Sequence, residues 1–310
     1  MKTKIAGLLA TALLLTACSS GEPTTSATPS YVVKIDVHGW TGYEAAAAVV
    51  TYLLEHELGY KVERRKTTED KSWPDFETGK VDVILENWGH PAEKKEFIEK
   101  KKVALSAGLL GSKGIIGWYV PKWMTQKYPG ITNWRNLNKY AHLFRTKESG
   151  DKGQLLDGDP SYVTNDVALV KNLNLDFKVV VGGSEAALLK SAIQAQEQKQ
   201  PLLFYFWDPH WAYNKLELTR ITLPPYAIGC DDDAAKVACD YPPYLLDKIV
   251  STRFAKDGGK AYELIRNFNW TNDQQNAVAA DIVNGKMTAD EAAKKWIDEN
   301  KIVWKDWIPR

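Results

Sequence analysis

The expected fold follows from residues 31–65, which run YVVKIDVHGWTGYEAAAAVVTYLLEHELGYKVERR. Residues 31–37 alternate and are rich in β-branched side chains, which predicts a strand. Residues 43–58 predict a helix that Gly59 ends, and residues 61–65 predict a second strand. A strand, a helix and a strand in this order form a βαβ unit, in which the two strands lie parallel.

The same alternation continues along the chain. Apolar stretches predict four further strands and the segments around them predict helices: strands 81–85, 114–120, 179–181 and 201–207, and helices 184–198 and pieces within 257–298. We therefore expect an α/β fold with largely parallel sheets and a ligand site at the carboxyl ends of the strands. The 310 residues suit about two domains, and no proline-rich linker follows residue 30. The chain is thus expected to cross between two lobes more than once.

The composition excludes several classes of function. Lys and Arg number 40 against 39 Asp and Glu, a net charge of +1, so nothing points to nucleic acid. Twelve tryptophans and 14 tyrosines exclude a disordered chain. Motifs for nucleotides, zinc peptidases and serine hydrolases are absent, and the five histidines lack metal-ligand spacing. We predict no catalytic residue, metal or cofactor, although abundant carboxylates leave the paired acids of a glycosidase open.

The first residues have the pattern of an export signal. Lys2 and Lys4 precede an apolar run, 5–15, that is too short to span a bilayer. The run ends in Leu-Thr-Ala-Cys18, which resembles the lipobox of a bacterial lipoprotein. That resemblance implies a signal peptide over 1–17, a lipid on Cys18 and a location at the extracytoplasmic face of the cell membrane. An ordinary secretory signal is the alternative.

The segment that follows the proposed lipid site is a candidate tether. Residues 18–30 are rich in Ser, Thr, Pro and Gly, so they cannot bury a core. With Cys18 lipidated, two cysteines remain, Cys230 and Cys239. An exported chain meets an oxidising compartment, so the two are expected to form a disulfide. Two free thiols are the alternative.

Aromatic turns follow the predicted strands. Three of them carry a tryptophan beside Gly or Pro, and a fourth, weaker one carries a tyrosine: residues 38–44, 86–91, 205–211 and 158–165. A single tryptophan at such a place usually covers the rim of a core. Its repetition at three strand ends indicates a binding site instead.

These segments also carry a resemblance to a known family. The strand and turn from Val81 to Trp88, the segment from Phe204 to Trp211 and the turn Gly39-Trp40-Thr41 resemble solute-binding lipoproteins of the glycine betaine, proline betaine and choline branch of ABC importers. The resemblance implies a two-lobed, periplasmic-binding-protein-like clamp of type II with its ligand in the cleft between the lobes.

The same resemblance implies the domain limits and the partners. Lobe one is expected at 31–116 together with 241–310, and lobe two at 117–240. The expected partners are a quaternary-ammonium solute and an ABC permease, with membrane contact through the lipid alone. We expect a monomer that binds no nucleic acid and is not an enzyme.

Quaternary ammonium chemistry gives the aromatic turns a role. Such a cation has no N–H to donate, but aromatic faces attract its charge and cover its methyl groups. By match to the family, four residues are cage candidates: Trp40, Trp88, Tyr162 and Trp207. A plain surface turn is the alternative for Tyr162.

A betaine would also need donors for its carboxylate. Free N–H groups at helix starts could supply them, as could one histidine: Gly42 and Tyr43, Val163 and Thr164, and the side chain of His210. Gly42 stands where a choline binder would carry an aspartate for the hydroxyl, which argues against choline.

Two other classes of function remain open at this stage. A tryptophan-lined cleft also suits sugars, so a sugar-binding lipoprotein or a secreted glycosidase is the second hypothesis. A glycosidase would show turnover and two essential carboxylates, whereas a binding protein would show saturable binding without product. A structural surface lipoprotein would bind no small molecule.

Overall fold

The computed structural model describes residues 30–162 and 164–310. The predicted signal peptide, the predicted lipid site Cys18 and nearly all of the tether lie outside these residues. So does Val163, one of the predicted backbone donors.

The described residues form nine strands. In chain order they are β1 (Val32–Val37), β2 (Lys61–Lys66), β3 (Val83–Asn87), β4 (Ala104–Pro121), β5 (Gly153–Asp157), β6 (Phe177–Val181), β7 (Phe204–Asp208), β8 (Leu218–Arg220) and β9 (Tyr244–Ser251).

Twelve α-helices occur in the same residues. They are α1 (Thr41–His56), α2 (Glu69–Thr78), α3 (Pro91–Glu93), α4 (Lys122–Lys127), α5 (Leu137–Tyr140), α6 (Asp166–Asn172), α7 (Glu185–Glu197), α8 (Thr252–Asp257), α9 (Lys260–Asn267), α10 (Asn272–Val283), α11 (Ala289–Glu299) and α12 (Lys301–Trp304). A π-helical segment, Lys94–Lys100, continues α3.

The strands lie in the order β2-β1-β3-β9-β4-β7-β5-β6, with β8 paired to β4. The predicted α/β architecture is confirmed, but the expectation of largely parallel sheets is wrong. β1 is parallel to β2 and β3, and β5 is parallel to β6 and β7, whereas β4 and β9 run antiparallel to each of their neighbours. The sheet is mixed because β4 and β9 carry the chain between two parallel groups.

Strand β4 joins the two groups. Its residues 104–114 pair with β9, and residues 115–121 pair with β7 and β8. Gly108 and Gly111 have positive φ angles of 92° and 102°, and the register with β9 shifts around both. Such bulges bend a strand without ending it. The strand therefore begins ten residues before the predicted start at 114 and connects a lobe built on β1–β3 and β9 with a lobe built on β5–β8.

Helix α1 fills the core of the first lobe. Its residues from Ala45 to Val50 are buried against the sheet, α10 and α11. The alanines favour the helix and allow its neighbours to approach closely. Both α10 and α11 begin with capping boxes, Thr271 with Gln274 and Thr288 with Glu291, which fix where these two helices start.

The structure contains the predicted disulfide. It joins Cys230 to Cys239, whose Cα atoms are 6.3 Å apart, and closes a surface loop between β8 and β9. Among the described helices, none combines the length and the apolar character that crossing a bilayer requires.

Candidate ligand-binding site

The aromatic residues predicted from the turns meet at one edge of the sheet. Trp40 follows β1, Trp88 follows β3, Tyr162 follows β5 and Trp207 lies near the end of β7. Since β1 is parallel to β3 and β5 is parallel to β7, these are the carboxyl ends of two pairs of strands, one in each lobe. Carboxyl ends of parallel strands are the usual place for a ligand site in α/β folds.

The aromatic side chains enclose a cavity between the lobes. Its lining consists of Trp40, Glu69, Trp88, Ile116, Tyr162, Tyr205 and Trp207. The empty space between these side chains is about 280 Å³, which includes space open to solvent. Five of the seven lining residues are aromatic, so the wall of the cavity is largely aromatic.

Glu86 fixes the orientation of two of the tryptophans. One carboxylate oxygen, Oε1, accepts a hydrogen bond of 2.9 Å from each of the indole N–H groups of Trp40 and Trp88. The other, Oε2, accepts a hydrogen bond of 2.8 Å from the side chain of Gln275 on α10. Burial raises the pKa of Glu86 to about 6, although the hydrogen bonds from these three residues act in the opposite direction.

Two glycines make room for the rings. A Cβ atom on Gly114 would lie 2.4 Å from Cζ3 of Trp88, and a Cβ atom on Gly158 would lie 2.6 Å from Cδ2 of Tyr162. Any larger residue at either position would displace an aromatic wall of the cavity. The positions of Trp88 and Tyr162 are thus set by the backbones of β4 and of the turn after β5.

The rings also contact each other across the boundary between the lobes. Tyr162 makes edge contacts with Trp40 and Trp207, with ring centroids 5.8 and 5.5 Å apart. Its hydroxyl donates a hydrogen bond of 3.1 Å to the carbonyl oxygen of Gly39. Walls from both lobes are therefore held together in a closed arrangement.

Glu69 is the only carboxylic acid among the described residues that line the cavity. It is the first residue of α2 and is 4% exposed. Its Oε1 atom is buried and makes no hydrogen bond within the described residues; the nearest basic group is Nε2 of His90, at 3.8 Å. Burial first, and then repulsion by Glu86, raises the pKa of Glu69 well above its ordinary value. Burial also lowers the pKa of His90.

A second carboxylate lies at the start of α1. Oε2 of Glu185 accepts hydrogen bonds from the backbone N–H of Thr41 at 2.8 Å and from its hydroxyl at 2.9 Å. Oε1 of Glu185 lies 2.8 Å from Nε2 of His210. Because Nδ1 of His210 accepts a hydrogen bond from the N–H of Ala212, the ring carries its proton on Nε2, toward Glu185. Glu185 thereby links the two lobes.

The predicted donors that the structure describes lie outside the cavity lining. His210 contacts Glu185, as above. Gly42 packs under the side chain of Gln275, the hydroxyl of Tyr43 accepts a hydrogen bond from the N–H of Leu85, and Thr164 Oγ1 lies 3.3 Å from a carboxylate oxygen of Asp157. The ligand roles predicted for these residues stay predictions.

Sequence reasoning missed three members of the lining. Tyr205 could have been found, because it is two residues before Trp207 on β7 and such residues share one face of a strand. Ile116 pairs with Trp207 in the sheet, which required knowledge of the register. Glu69 had no signal, since an acid in the first turn of a helix is ordinary.

The family is decided by a comparison with known protein families. Residues 32–299 match the model of the substrate binding domain of the ABC-type glycine betaine transport system. The chain belongs to this family. The predicted family and the predicted fold class are both confirmed, so the chain is a substrate-binding protein of glycine betaine-type ABC transport.

Three known proteins resemble most of the chain. The trimethylamine N-oxide-binding protein of Pelagibacter ubique (strain HTCC1062) is 26% identical over 97% of this chain and 98% of its own. Lactococcal OpuAC, in a closed conformation with glycine betaine, is 23% identical with a TM-score of 0.69, covering 90% of this chain and 99% of its own. A choline-binding protein in complex with choline is 19% identical with a TM-score of 0.71, covering 89% and 91%. The two solved structures establish the two-lobed fold.

Proposed function

We propose that the chain captures a compact trimethylated ammonium solute in the aromatic cavity and delivers it to the permease of an ABC importer. The observation that carries this proposal is the fixed orientation of the Trp40 and Trp88 indoles by Glu86, opposite Trp207 of the other lobe. The relatives named above for trimethylamine N-oxide, glycine betaine and choline support the same class of solute. The protein acts by binding alone and is not an enzyme.

The energetics of the cage suit this class. A cation over a desolvated aromatic face gains about 0.5–2 kcal/mol, and a micromolar complex needs about 8 kcal/mol. The cavity offers faces from three tryptophans and two tyrosines, so cation–π attraction and methyl burial supply a large part of that free energy. No lysine or arginine belongs to the described lining, which leaves the cation without a competing positive charge.

Closure of the lobes would report the bound state to the permease. Cage walls from both lobes couple ligand binding to closure, because a ligand that contacts both walls stabilises the closed state. We propose that the lobes comprise 31–116 with 241–310, and 117–240. Strand β4 stops pairing with β9 and begins to pair with β7 at residues 114–115. This change of partner supports the proposed limit between residues 116 and 117.

The proposal predicts which small molecules bind. Tetramethylammonium, trimethylamine N-oxide, choline, glycine betaine, glucose and maltose would be titrated into the purified protein by calorimetry. We expect saturable binding of at least one trimethylated ammonium compound, and at least about tenfold weaker binding of 3,3-dimethylbutan-1-ol than of choline, because the former has the same shape without the charge. Binding of a sugar but of no ammonium compound would contradict the proposal and favour the sugar-binding hypothesis.

We further propose that the protein is anchored at the extracytoplasmic face of the membrane by a lipid on Cys18. Its support is the apolar run that ends in Leu-Thr-Ala-Cys18 and the polar tether that follows. Cys18→Ala is expected to move the protein from the membrane fraction to the soluble fraction or to block its processing. Cys230→Ala together with Cys239→Ala is the matched control and should leave the anchor in place. Mature protein with an unmodified Cys18 would contradict this proposal.

A further inference from the structure

The polar surroundings of the cavity differ from those that a betaine requires. A betaine has a carboxylate at the end opposite its cation, and a buried carboxylate needs N–H donors or positive charge. The described residues around this cavity supply carboxyl groups instead: Glu69 in its lining and Glu86 and Glu185 close behind it.

The start of α1 already holds a carboxylate. The N–H and the hydroxyl of Thr41 both donate to Oε2 of Glu185, at 2.8 and 2.9 Å. Negative charge is stabilised at the start of a helix, and here the protein's own side chain takes that place. A ligand carboxylate would have to displace Glu185 or lie beside it, and like charges in a buried site repel each other strongly.

Two donors at the start of α6 are also engaged. The N–H of Asn165 donates to the hydroxyl of Tyr241 at 2.8 Å, and the N–H of Asp166 donates to Oγ1 of Thr164 at 3.2 Å. Neither N–H is available to a ligand without the loss of a bond in the protein. At each of the two helix starts, N–H donors among the described residues are therefore already engaged within the protein: Thr41 at α1, and Asn165 and Asp166 at α6.

Glu69 offers a polar contact in the lining of the cavity. It lines the cavity, it is 4% exposed, and its Oε1 makes no hydrogen bond within the described residues. A buried oxygen without a partner is costly, so it is expected to gain one from the ligand. Burial and repulsion by Glu86 raise the pKa of Glu69 well above its ordinary value, which favours the protonated carboxyl. A protonated carboxyl can donate one hydrogen bond to one oxygen atom.

From these contacts we infer that the solute is a trimethylated ammonium compound whose polar end is a single oxygen, an N-oxide or a hydroxyl, and that Glu69 donates to this oxygen while Glu185 excludes carboxylates. This inference rests on the proposed function and narrows it.

Calorimetry of the mature, full-length protein tests the inference. We expect trimethylamine N-oxide or choline to bind at least about tenfold more tightly than glycine betaine, because a buried polar group without its partner costs at least this factor. Glycine betaine that binds within tenfold of both compounds, or more tightly than either, would overturn the inference and leave the proposed function intact. Failure of every ammonium compound to bind would instead overturn the proposed function.

Two variants assign the roles of the acids. Glu185→Ala frees the donors of Thr41, so the preference over glycine betaine should fall about fivefold or more. Weaker closure alone would lower all affinities alike and leave the preference unchanged, which would overturn the role of Glu185.

Glu69→Met should lower the preference for the single-oxygen compound over tetramethylammonium about tenfold, and Glu69→Gln, which keeps a donor, should restore much of it. An unchanged preference in Glu69→Met would overturn the role of Glu69.

Discussion

Replacement of Trp207 by alanine is expected to weaken binding of the ammonium solute by about 2–3 kcal/mol, or roughly 30- to 150-fold in Kd. Trp207 contributes the wall of the second lobe, and it also contacts Tyr162, whose hydroxyl reaches the first lobe. The variant would therefore lose both a face for the cation and part of the closed arrangement. Titration calorimetry with the tightest-binding compound of the panel measures the effect.

Two further variants serve as references for Trp207. Trp207→Phe keeps an aromatic face and should retain part of the affinity. Trp304→Phe changes a tryptophan that is equally buried but lies outside the cavity, where its indole donates to the carbonyl oxygen of Ile297. It should leave Kd nearly unchanged. An affinity of Trp207→Ala within about threefold of the wild type would show that this ring does not hold the cation.

Replacement of Glu86 by alanine is expected to lower both stability and affinity. The indole N–H groups of Trp40 and Trp88 and the amide of Gln275 would lose their acceptor inside the protein. Each buried donor without a partner costs about 1–3 kcal/mol, so the free energy of unfolding should fall by about 2–4 kcal/mol after some relaxation. Urea unfolding and calorimetry measure the two effects.

The controls for Glu86 separate its geometry from its charge. Glu86→Gln keeps one acceptor for the two indoles and should retain most of the stability. Glu99→Ala removes an exposed acid on the π-helical segment and should change the free energy of unfolding by less than about 0.5 kcal/mol. A Glu86→Ala protein as stable as Glu99→Ala would contradict the role that the structure gives to Glu86.

The pKa of Glu86 predicts that ligand binding depends on pH. A fixed cation favours the ionised form of Glu86, whose pKa is about 6 in the free protein. Binding below this pH must release the proton, so the affinity for tetramethylammonium should fall as the pH is lowered from 7 to 5, by up to about tenfold. Two further carboxyl groups, those of Glu185 and Glu69, interact electrostatically with Glu86. Glu86→Gln therefore has to flatten the profile if Glu86 is its source.

The sequence predicted the aromatic walls because their signal is local. A tryptophan directly after an apolar strand, beside Gly or Pro, is visible in a few neighbouring residues, and Trp40, Trp88 and Trp207 all have this setting. The family resemblance added the expectation that they meet. The sequence did not show what fixes the orientation of these rings. Glu86, which accepts the indole hydrogen bond of Trp40, lies 46 positions away from it.

Strand β9 escaped prediction for a related reason. It contains Asp247 and Lys248, two charged residues in the middle of a buried strand. Asp247 accepts a hydrogen bond from Asn87 and pairs with Lys94, and Lys248 donates to the backbone oxygens of Arg266 and Phe268. These partners are distant in sequence, so the charges conceal the strand until the fold is known. In the same way, nothing in the local sequence marked Glu69 as a residue of the cavity lining.

The position of β9 has a consequence for how the chain is made. β9 lies between β3 and β4, yet it is the last strand to leave the ribosome. The second lobe is encoded without interruption between β4 and β9, so it can complete its sheet while the first lobe still lacks a central strand. Pairings between distant segments form slowly, and an unpaired strand edge promotes aggregation in the meantime. We therefore expect the lobe that begins the chain to finish folding last, with the free edge of β3 as the surface that a chaperone would have to protect.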